Sequence, residues 1–384
     1  MDGDELKRAL KAHAIEIGLD LIGVARAEPF TADADRLRER QQAGLGPNPY
    51  EYQQIEPRVN PELLLPGART LIAGGISYLM EDEPLAAGLT GWLSRYCRGL
   101  DYHGLLKARL GQVASWLEAA VPGARTLVHV DTGPPLDRSV AERAGIGKWG
   151  KHTNLITREF GTWVFLGEIL TDIDLPPDEP VAPACGECTL CIDACPTQCL
   201  TEWKIDANRC LSYVTQMKGM IPTEFRETMG NRLFGCDDCQ DVCPYNRKAR
   251  RGLHPEFASH PEVGGAPDLL KLMNMTKGDF RRWFEPSAAG WRGKTTIQRN
   301  AVIALGNAGD PGALEPLVKA LGSESQPVRA HAAWGLGRLA GAAPGVAEAA
   351  RAALENRRRH ESDPDVLAEI EGALANEVFG SHQG

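Results

Sequence analysis

The chain has 384 residues, 43% of them apolar and 24% charged, with 42 Lys and Arg against 51 Asp and Glu for a formal net charge of −9. This is the composition of a globular protein of two or three domains, and it excludes a disordered chain, a collagen-like fibre and a small disulfide scaffold. A general polycation is excluded too, so any contact with nucleic acid has to come from a local basic patch. The opening Met1-Asp2-Gly3-Asp4-Glu5-Leu6 has no basic n-region, apolar h-region or twin arginines. No apolar run approaches the roughly 20 residues that span a bilayer. A cytoplasmic protein is expected.

Residues 1–180 read as an α/β domain. Apolar residues recur at helical spacing over 6–19, and Gly18 is placed to stop that helix. Residues 21–25, 70–75 and 126–130 have the composition of short buried strands, while 105–117 carries the 3.6-residue period of an amphipathic helix. Strands alternating with helices favour a sheet with helices packed on it. The prolines of 176–180 interrupt both periods and read as a linker. Residues 181–250 form a cysteine-rich domain. Residues 251–384 hold a connecting stretch to 296 and then helices that repeat: Ile297 to Gly306 recurs as Val328 to Gly337, with Leu305-Gly306 and Leu336-Gly337 in register. A period of about 31 residues of helix pairs is HEAT-like, and two such repeats must stack on what precedes them.

Nine of the ten cysteines lie between positions 185 and 243. In a reducing compartment such crowding points to metal or redox chemistry rather than disulfides. Cys185-x2-Cys188-x2-Cys191-x3-Cys195-Pro196 is the run that binds [4Fe–4S] clusters in bacterial-type ferredoxins, where the fourth cysteine serves the neighbouring cube. Cys236-x2-Cys239-x3-Cys243-Pro244 has the same ending but lacks one leading cysteine, which Cys210 can supply. One cluster then takes Cys185, Cys188, Cys191 and Cys243; the other takes Cys195, Cys210, Cys236 and Cys239. Cys199 in place of Cys210 is the internal alternative. Zinc sites are the external one, although zinc favours separated Cys-x2-Cys pairs over triplets ending in Cys-Pro.

Between Tyr245 and Arg299 there are eleven Lys and Arg against five Asp and Glu, a local net of +6 on an otherwise acidic molecule. That is a directional footprint for a polyanion. Trp283, Phe284 and Trp291 interleave with the charges and serve either as stacking platforms for unpaired bases or as core.

Several stretches together carry a resemblance. They are Arg95-Tyr96-Cys97-Arg98-Gly99-Leu100-Asp101-Tyr102-His103, Asp131-Thr132-Gly133-Pro134, residues 143–154 and 161–168, Arg209-Cys210-Leu211-Ser212-Tyr213, and Gly235 to Pro244. In this order they resemble the epoxyqueuosine reductases, cobalamin- and iron–sulfur-dependent enzymes of tRNA queuosine synthesis, over most of the chain. The departures are Cys97 and Cys199, where that family often has a small residue, and Asp137, where many members carry Glu.

The resemblance implies an N-terminal cobalamin-binding domain (1–180), a two-cluster [4Fe–4S] domain (181–250) and a C-terminal tRNA-binding region with HEAT-like repeats (251–384). It implies reduction of an epoxide on a modified guanosine in the anticodon loop, with electrons relayed by two [4Fe–4S] clusters from an unidentified donor. Asp131 is implied as the proton donor, its pKa raised by burial against the corrin. From the residues alone, Asp131-Thr132-Gly133-Pro134 is equally a turn signature. Arg58, Cys97, Asn154 and Ser212 are the implied cobalamin contacts. Asp101-Tyr102-His103-Gly104 begins like a corrinoid motif but has its glycine too early, so His103 is not read as a cobalt ligand. Lys148, Lys151 and His152 form a basic loop facing either the cofactor, a tRNA phosphate or solvent. A monomer binding the tRNA anticodon stem-loop is expected. Two other readings stand beside this one: a reductive-dehalogenase-like corrinoid reductase of a small molecule, and an electron-transfer protein with binding repeats.

Overall fold

In the computed structural model, which describes residues 2–45, 51–81 and 88–375, four strands form the principal sheet. They are β1 (Leu21–Arg26), β2 (Thr70–Ser77), β3 (Thr126–His129) and β4 (Val164–Thr171), in the order β1-β2-β4-β3 with every pair antiparallel. Three of these strands match the sequence expectation. The fourth, β4, is central and nearly continuous in apolar residues, the pattern of a strand covered on both faces. Its ladder with β2 places Gly74 opposite Gly167. Both lie under Leu110 of the helix α3 (Tyr102–Ala120): a Cβ at Gly74 would meet the Leu110 side chain at 2.7 Å, and one at Gly167 would meet it at 2.8 Å. The paired glycines are what let the helix seat closely on the sheet.

Helix α1 (Gly3–Glu16) begins in a capping box of Asp2 and Glu5, and Gly18 follows its end at φ +92° as expected. On the sheet's other face, Leu71, Ala73 and Leu170 pack against Val140, Ala141 and Ala144 of the short helix α4 (Asp137–Arg143) and its end. The prolines at 176–180 do not make a free linker. Asp178 accepts a hydrogen bond from the Val24 nitrogen at 2.9 Å and pairs with Lys11 at 2.6 Å, tying this stretch to β1.

The domain boundaries differ from the expected 1–180, 181–250 and 251–384. The chain forms two compact units: Met1–Glu81 with Asp101–Cys210 and Asp238–Phe257, and Asp82–Leu100 with Leu211–Asp237 and Ala258–Gly384. The cysteine-rich segment therefore has no unit of its own. It carries too few apolar side chains to close a core, and its middle stretch buries Leu211, Val214, Ile221, Phe225 and Met229 against Ile303 of the second unit.

That second unit is helical, and the repeat read from the sequence is real. Helices α6 (Lys294–Ala308) and α7 (Gln326–Ala342) carry the two copies, followed by α8 (Ala347–Arg358) and α9 (Pro364–Leu374). Before them lies α5 (Leu211–Gln216). The fully buried Arg299 of α6 donates to the carbonyls of Met217 at 2.6 Å, Gly219 at 2.9 Å and Thr215 at 3.2 Å. Its neighbour Asn300 donates to Thr215 and Leu233, both at 2.7 Å. A buried guanidinium thus satisfies carbonyls at and beyond the C-terminal end of α5, which no intrahelical donor can reach. Among the described residues no helix is long and apolar enough to cross a membrane.

The glycines of the two repeat copies meet where α6 crosses α7: a Cβ on Gly306 would lie 2.7 Å from the Gly335 Cα. Backbone cannot yield as a side chain does. Gly306→Ala is expected to destabilise by about 1–3 kcal/mol in urea unfolding. The control Gly345→Ala, with nothing within 4 Å of its added Cβ, is expected to leave the midpoint within experimental scatter.

Candidate active site

Residue Asp131 follows β3 at the start of a loop, with φ +52°, a conformation that Asp tolerates better than most non-glycine residues. Its carboxylate faces His103 in the first turn of α3, with Oδ2 3.2 Å from Nε2. The other imidazole nitrogen, Nδ1, lies 2.6 Å from Asp101 Oδ1. That same oxygen accepts the His103 backbone N–H at 3.0 Å, so Asp101 caps the helix and orients the ring with one atom. Tyr102 completes the group: its ring stacks on Phe165 of β4 at 3.9 Å, and its hydroxyl bonds the Asp131 carboxylate.

Charge follows from this geometry. The hydrogen bonds to Asp101 and then Asp131 push the His103 pKa up to about 9, so the ring is an imidazolium at neutral pH. The same contact with His103 lowers Asp131 below the ordinary carboxylate value. The raised value expected of Asp131 belongs to burial against a corrin; in the protein alone the imidazole decides the direction. Its side chain is 59% exposed in the protein alone and lies against a cation, so ionisation is favoured. Within the Asp131–His103 pair the proton rests on the imidazole. Nor is Asp131 a simple turn cap, since its carboxylate is spent on His103 and Tyr102. The Asp101-x-His103 spacing at a helix start was the sequence signal for this pair.

The thiols lie in two neighbourhoods of the first unit, with Cys236 in the second unit. In the first unit, Cys185, Cys188, Cys191 and Cys243 are mutual neighbours, and burial with the surrounding thiols pushes Cys191 up to about 11. Cys195 and Cys243, each followed by proline, close identical turns: their carbonyls accept the N–H of Gln198 and Asn246, both at 3.0 Å. Thiols that oppose one another's ionisation suit a cationic iron core, which would hold them as thiolates. Lys151 donates its backbone N–H to Cys185 Sγ at 3.4 Å, while its ammonium pairs with Glu202 at 2.6 Å. The second set gathers Cys195 and Cys210 with Cys199, whose Sγ lies 3.4 Å from that of Cys195. Cys239 also belongs to the first unit; Cys236 packs with the apolar cluster around Leu211 in the second.

The residues implied as cobalamin contacts divide between the units. Arg58 and Asn154 belong to the first. The Arg58 Nε is buried without a hydrogen-bond partner among the described residues, a donor suited to the amides and phosphate at the edge of a corrinoid. Ser212 and Cys97 belong to the second. Cys97 is 1% exposed and its thiol bonds the Ser94 carbonyl at 3.1 Å, so that side chain is committed inward. Lys151 and His152 are buried rather than spread on a solvated loop, and Lys148 pairs with Glu142 at 3.2 Å. Of the basic stretch, Arg299 is core, as are Trp283 and Phe284. Trp291 is 55% exposed with the Arg292 guanidinium 4.4 Å over its ring, and Arg281 and Arg282 are exposed nearby in sequence.

Comparison with known proteins gives three family matches: epoxyqueuosine reductase QueG over residues 58–132, a 4Fe-4S double cluster binding domain over 184–246, and HEAT repeats over 293–375. The chain is 40% identical over 380 residues to an epoxyqueuosine reductase of Bacillus cereus, covering 97% of this chain and 98% of that protein. It is 39% identical over 374 residues to that of Bacillus subtilis, covering 96% of each. Among solved structures, an epoxyqueuosine reductase with an epoxyqueuosine-modified tRNA-Tyr stem loop superposes with a TM-score of 0.91 at 37% identity, over 98% of this chain and 99% of that one. A Bacillus subtilis structure, described as having its catalytic aspartate loop swung out of the active site, gives 0.90 at 36%, with the same coverage. The 4Fe-4S match removes zinc as the reading of the cysteine runs.

The cluster assignment yields a direct measurement. Anaerobically reconstituted protein is expected to hold about eight irons per chain. Cys210→Ala is expected to lose much of one cluster, and Cys199→Ala to lose neither. Iron analysis with electron paramagnetic resonance gives the answer, and the reverse pattern would exchange the two cysteines.

Proposed function

The chain belongs to the epoxyqueuosine reductase family, and from that premise we propose that it reduces epoxyqueuosine to queuosine in the tRNA anticodon loop with Asp131 delivering the proton. The observation that carries the residue assignment is the Asp101–His103–Asp131 line, in which one imidazole bridges two carboxylates at 2.6 and 3.2 Å. An epoxide oxygen leaves well only when protonated, and electrons alone do not supply that proton. The described motion of an aspartate loop in the Bacillus subtilis relative agrees with a loop that begins on a non-glycine residue at positive φ.

Each residue then has a task. Asp101 fixes the imidazole, with Nδ1 toward itself and Nε2 toward Asp131. His103 holds the proton at neutral pH and passes it to Asp131 as the oxygen develops charge. Tyr102, stacked on Phe165, steadies the Asp131 carboxylate from the other side. The cysteines Cys185, Cys188, Cys191, Cys243, Cys195, Cys210, Cys236 and Cys239 hold two [4Fe–4S] clusters, which relay electrons from a separate donor. Arg58 and Asn154 of the first unit would hold cobalamin, which when bound would supply the electrons at the epoxide.

The tRNA meets the exposed basic residues Arg281 and Arg282 of the second unit, with Trp291 as the exposed aromatic and the half-buried Arg292 over its ring. A tRNA substrate places this work in the cytoplasm.

Asp131→Asn keeps the shape but cannot carry the proton. It is expected to retain clusters, cobalamin and tRNA binding while turnover falls ~10²–10⁴-fold in single-turnover assays on cofactor-matched samples. Full activity would remove Asp131 from the role. In the second unit, Arg281→Glu with Arg282→Glu is expected to weaken tRNA binding and flatten its salt dependence, because fewer counterions are released. Unchanged affinity and slope in filter binding across a salt series would move the tRNA surface elsewhere.

A further inference from the structure

Removing an epoxide oxygen as water consumes two protons at one atom. Both C–O bonds break, a C=C bond forms between the carbons, two electrons enter, and both protons end on the departing oxygen. The Asp131–His103 pair holds one transferable proton. A second has to reach the same place before water can leave.

Behind Asp131 lies another acidic pair, within the same unit. Glu168 stands mid-strand in β4, only 1% exposed, opposite His129 in the ladder with β3. Asp137 opens α4; its carboxyl group meets that of Glu168, and its Oδ1 lies 3.4 Å from the Asp131 nitrogen. Neither Glu168 oxygen is reached by a hydrogen-bond donor among the described residues. Two ionised carboxylates are acceptors only and cannot bond each other, and the buried Glu168 would carry a charge with no donor to meet it, which is strongly unfavourable. A single proton shared between them resolves both difficulties, as in other buried carboxyl dyads. The remaining charged or titratable groups facing the pair are Arg58, Arg138, Tyr102 and Asp131 around Asp137 and His129 across from Glu168. None of them donates to Glu168.

We propose that Asp137 and Glu168 hold one proton between them and pass it through Asp131 to the departing oxygen as the second proton of the reaction. The inference rests on the assignment of Asp131 above. After the first transfer Asp131 is a bare carboxylate beside Asp137, ready to accept. The dyad ends ionised and refills from solvent once the product has left. Electrostatics agree: burial, then the neighbouring charge of Asp131, pushes Asp137 up to about 6. Burial and Asp137 raise Glu168 well above the carboxylate range. The dyad therefore keeps one proton across neutrality. The pair acts through Asp131, so these are positioning residues.

The first test uses protein without cofactor. At pH 7 its infrared spectrum is expected to contain the carbonyl band of a buried protonated carboxyl, retained in Asp131→Asn and absent in Glu168→Gln. The second test is the pH profile of the loaded enzyme. The wild type is expected to hold a plateau through neutrality. Glu168→Gln, drawing its second proton from solvent, is expected to fall about tenfold per pH unit, with KM for tRNA unchanged. Asp137→Asn should behave like Glu168→Gln, and Asp137→Glu should restore the plateau; these two decide the matter if Glu168→Gln does not fold. Absence of the band in the wild type, or a plateau kept in Glu168→Gln and Asp137→Asn, overturns the dyad. An active Asp131→Asn would instead overturn the assignment beneath it.

Discussion

The close seat of α3 on the sheet governs the geometry of the proton-donating group. Gly74 and Gly167, opposite each other in the β2–β4 ladder, leave room for Leu110, and a methyl group at either position would push the helix outward. The first turn of that helix carries His103, while the neighbouring strand β3 leads to Asp131. Their 3.2 Å separation is thus set by a helix–sheet distance that two missing side chains determine. Interiors are packed too densely for such a displacement to be absorbed locally.

On that frame the charges are arranged by contrast. Asp101 and Asp131 lie against an imidazole and stay ionised; Asp137 and Glu168 lie against each other in an apolar setting and do not both ionise. Four carboxyl groups of one unit differ only in what surrounds them. The cysteines repeat the theme with another element. Burial and the neighbouring thiols push Cys191 and Cys243 up, a setting in which a bound iron cluster would supply the compensating positive charge.

The second unit uses buried polar groups for order rather than chemistry. Arg299 and Asn300 spend their donors on carbonyls in and around α5, and His331 accepts the Ile221 N–H at 3.1 Å with its pKa held down to about 3 by burial and by Arg226. These contacts fix the chain that follows Ser212. Arg299, counted with the basic stretch by its position in the sequence, therefore belongs to the core, and the exposed cations that remain are fewer and closer to Trp291.

Local spacing was enough for several features. Cysteine runs with intervals of two and three residues that end in Cys-Pro mark iron–sulfur binding, because closely spaced thiols on a short chain converge on a cluster. The 31-residue helix repeat and three of the strands were legible for the same reason, since periodicity is a local record of burial. Strand β4 escaped as a separate element because Gly167 and the charged Glu168 break its apolar run. What only the tertiary structure decided is protonation and membership: that His103 meets Asp131, that Glu168 meets Asp137, that Trp283 and Arg299 are core, and that the cysteine segment is divided between two units. Each depends on neighbours distant in sequence. A carboxyl group's affinity for its proton is a property of the space around it, and a linear pattern does not contain that space.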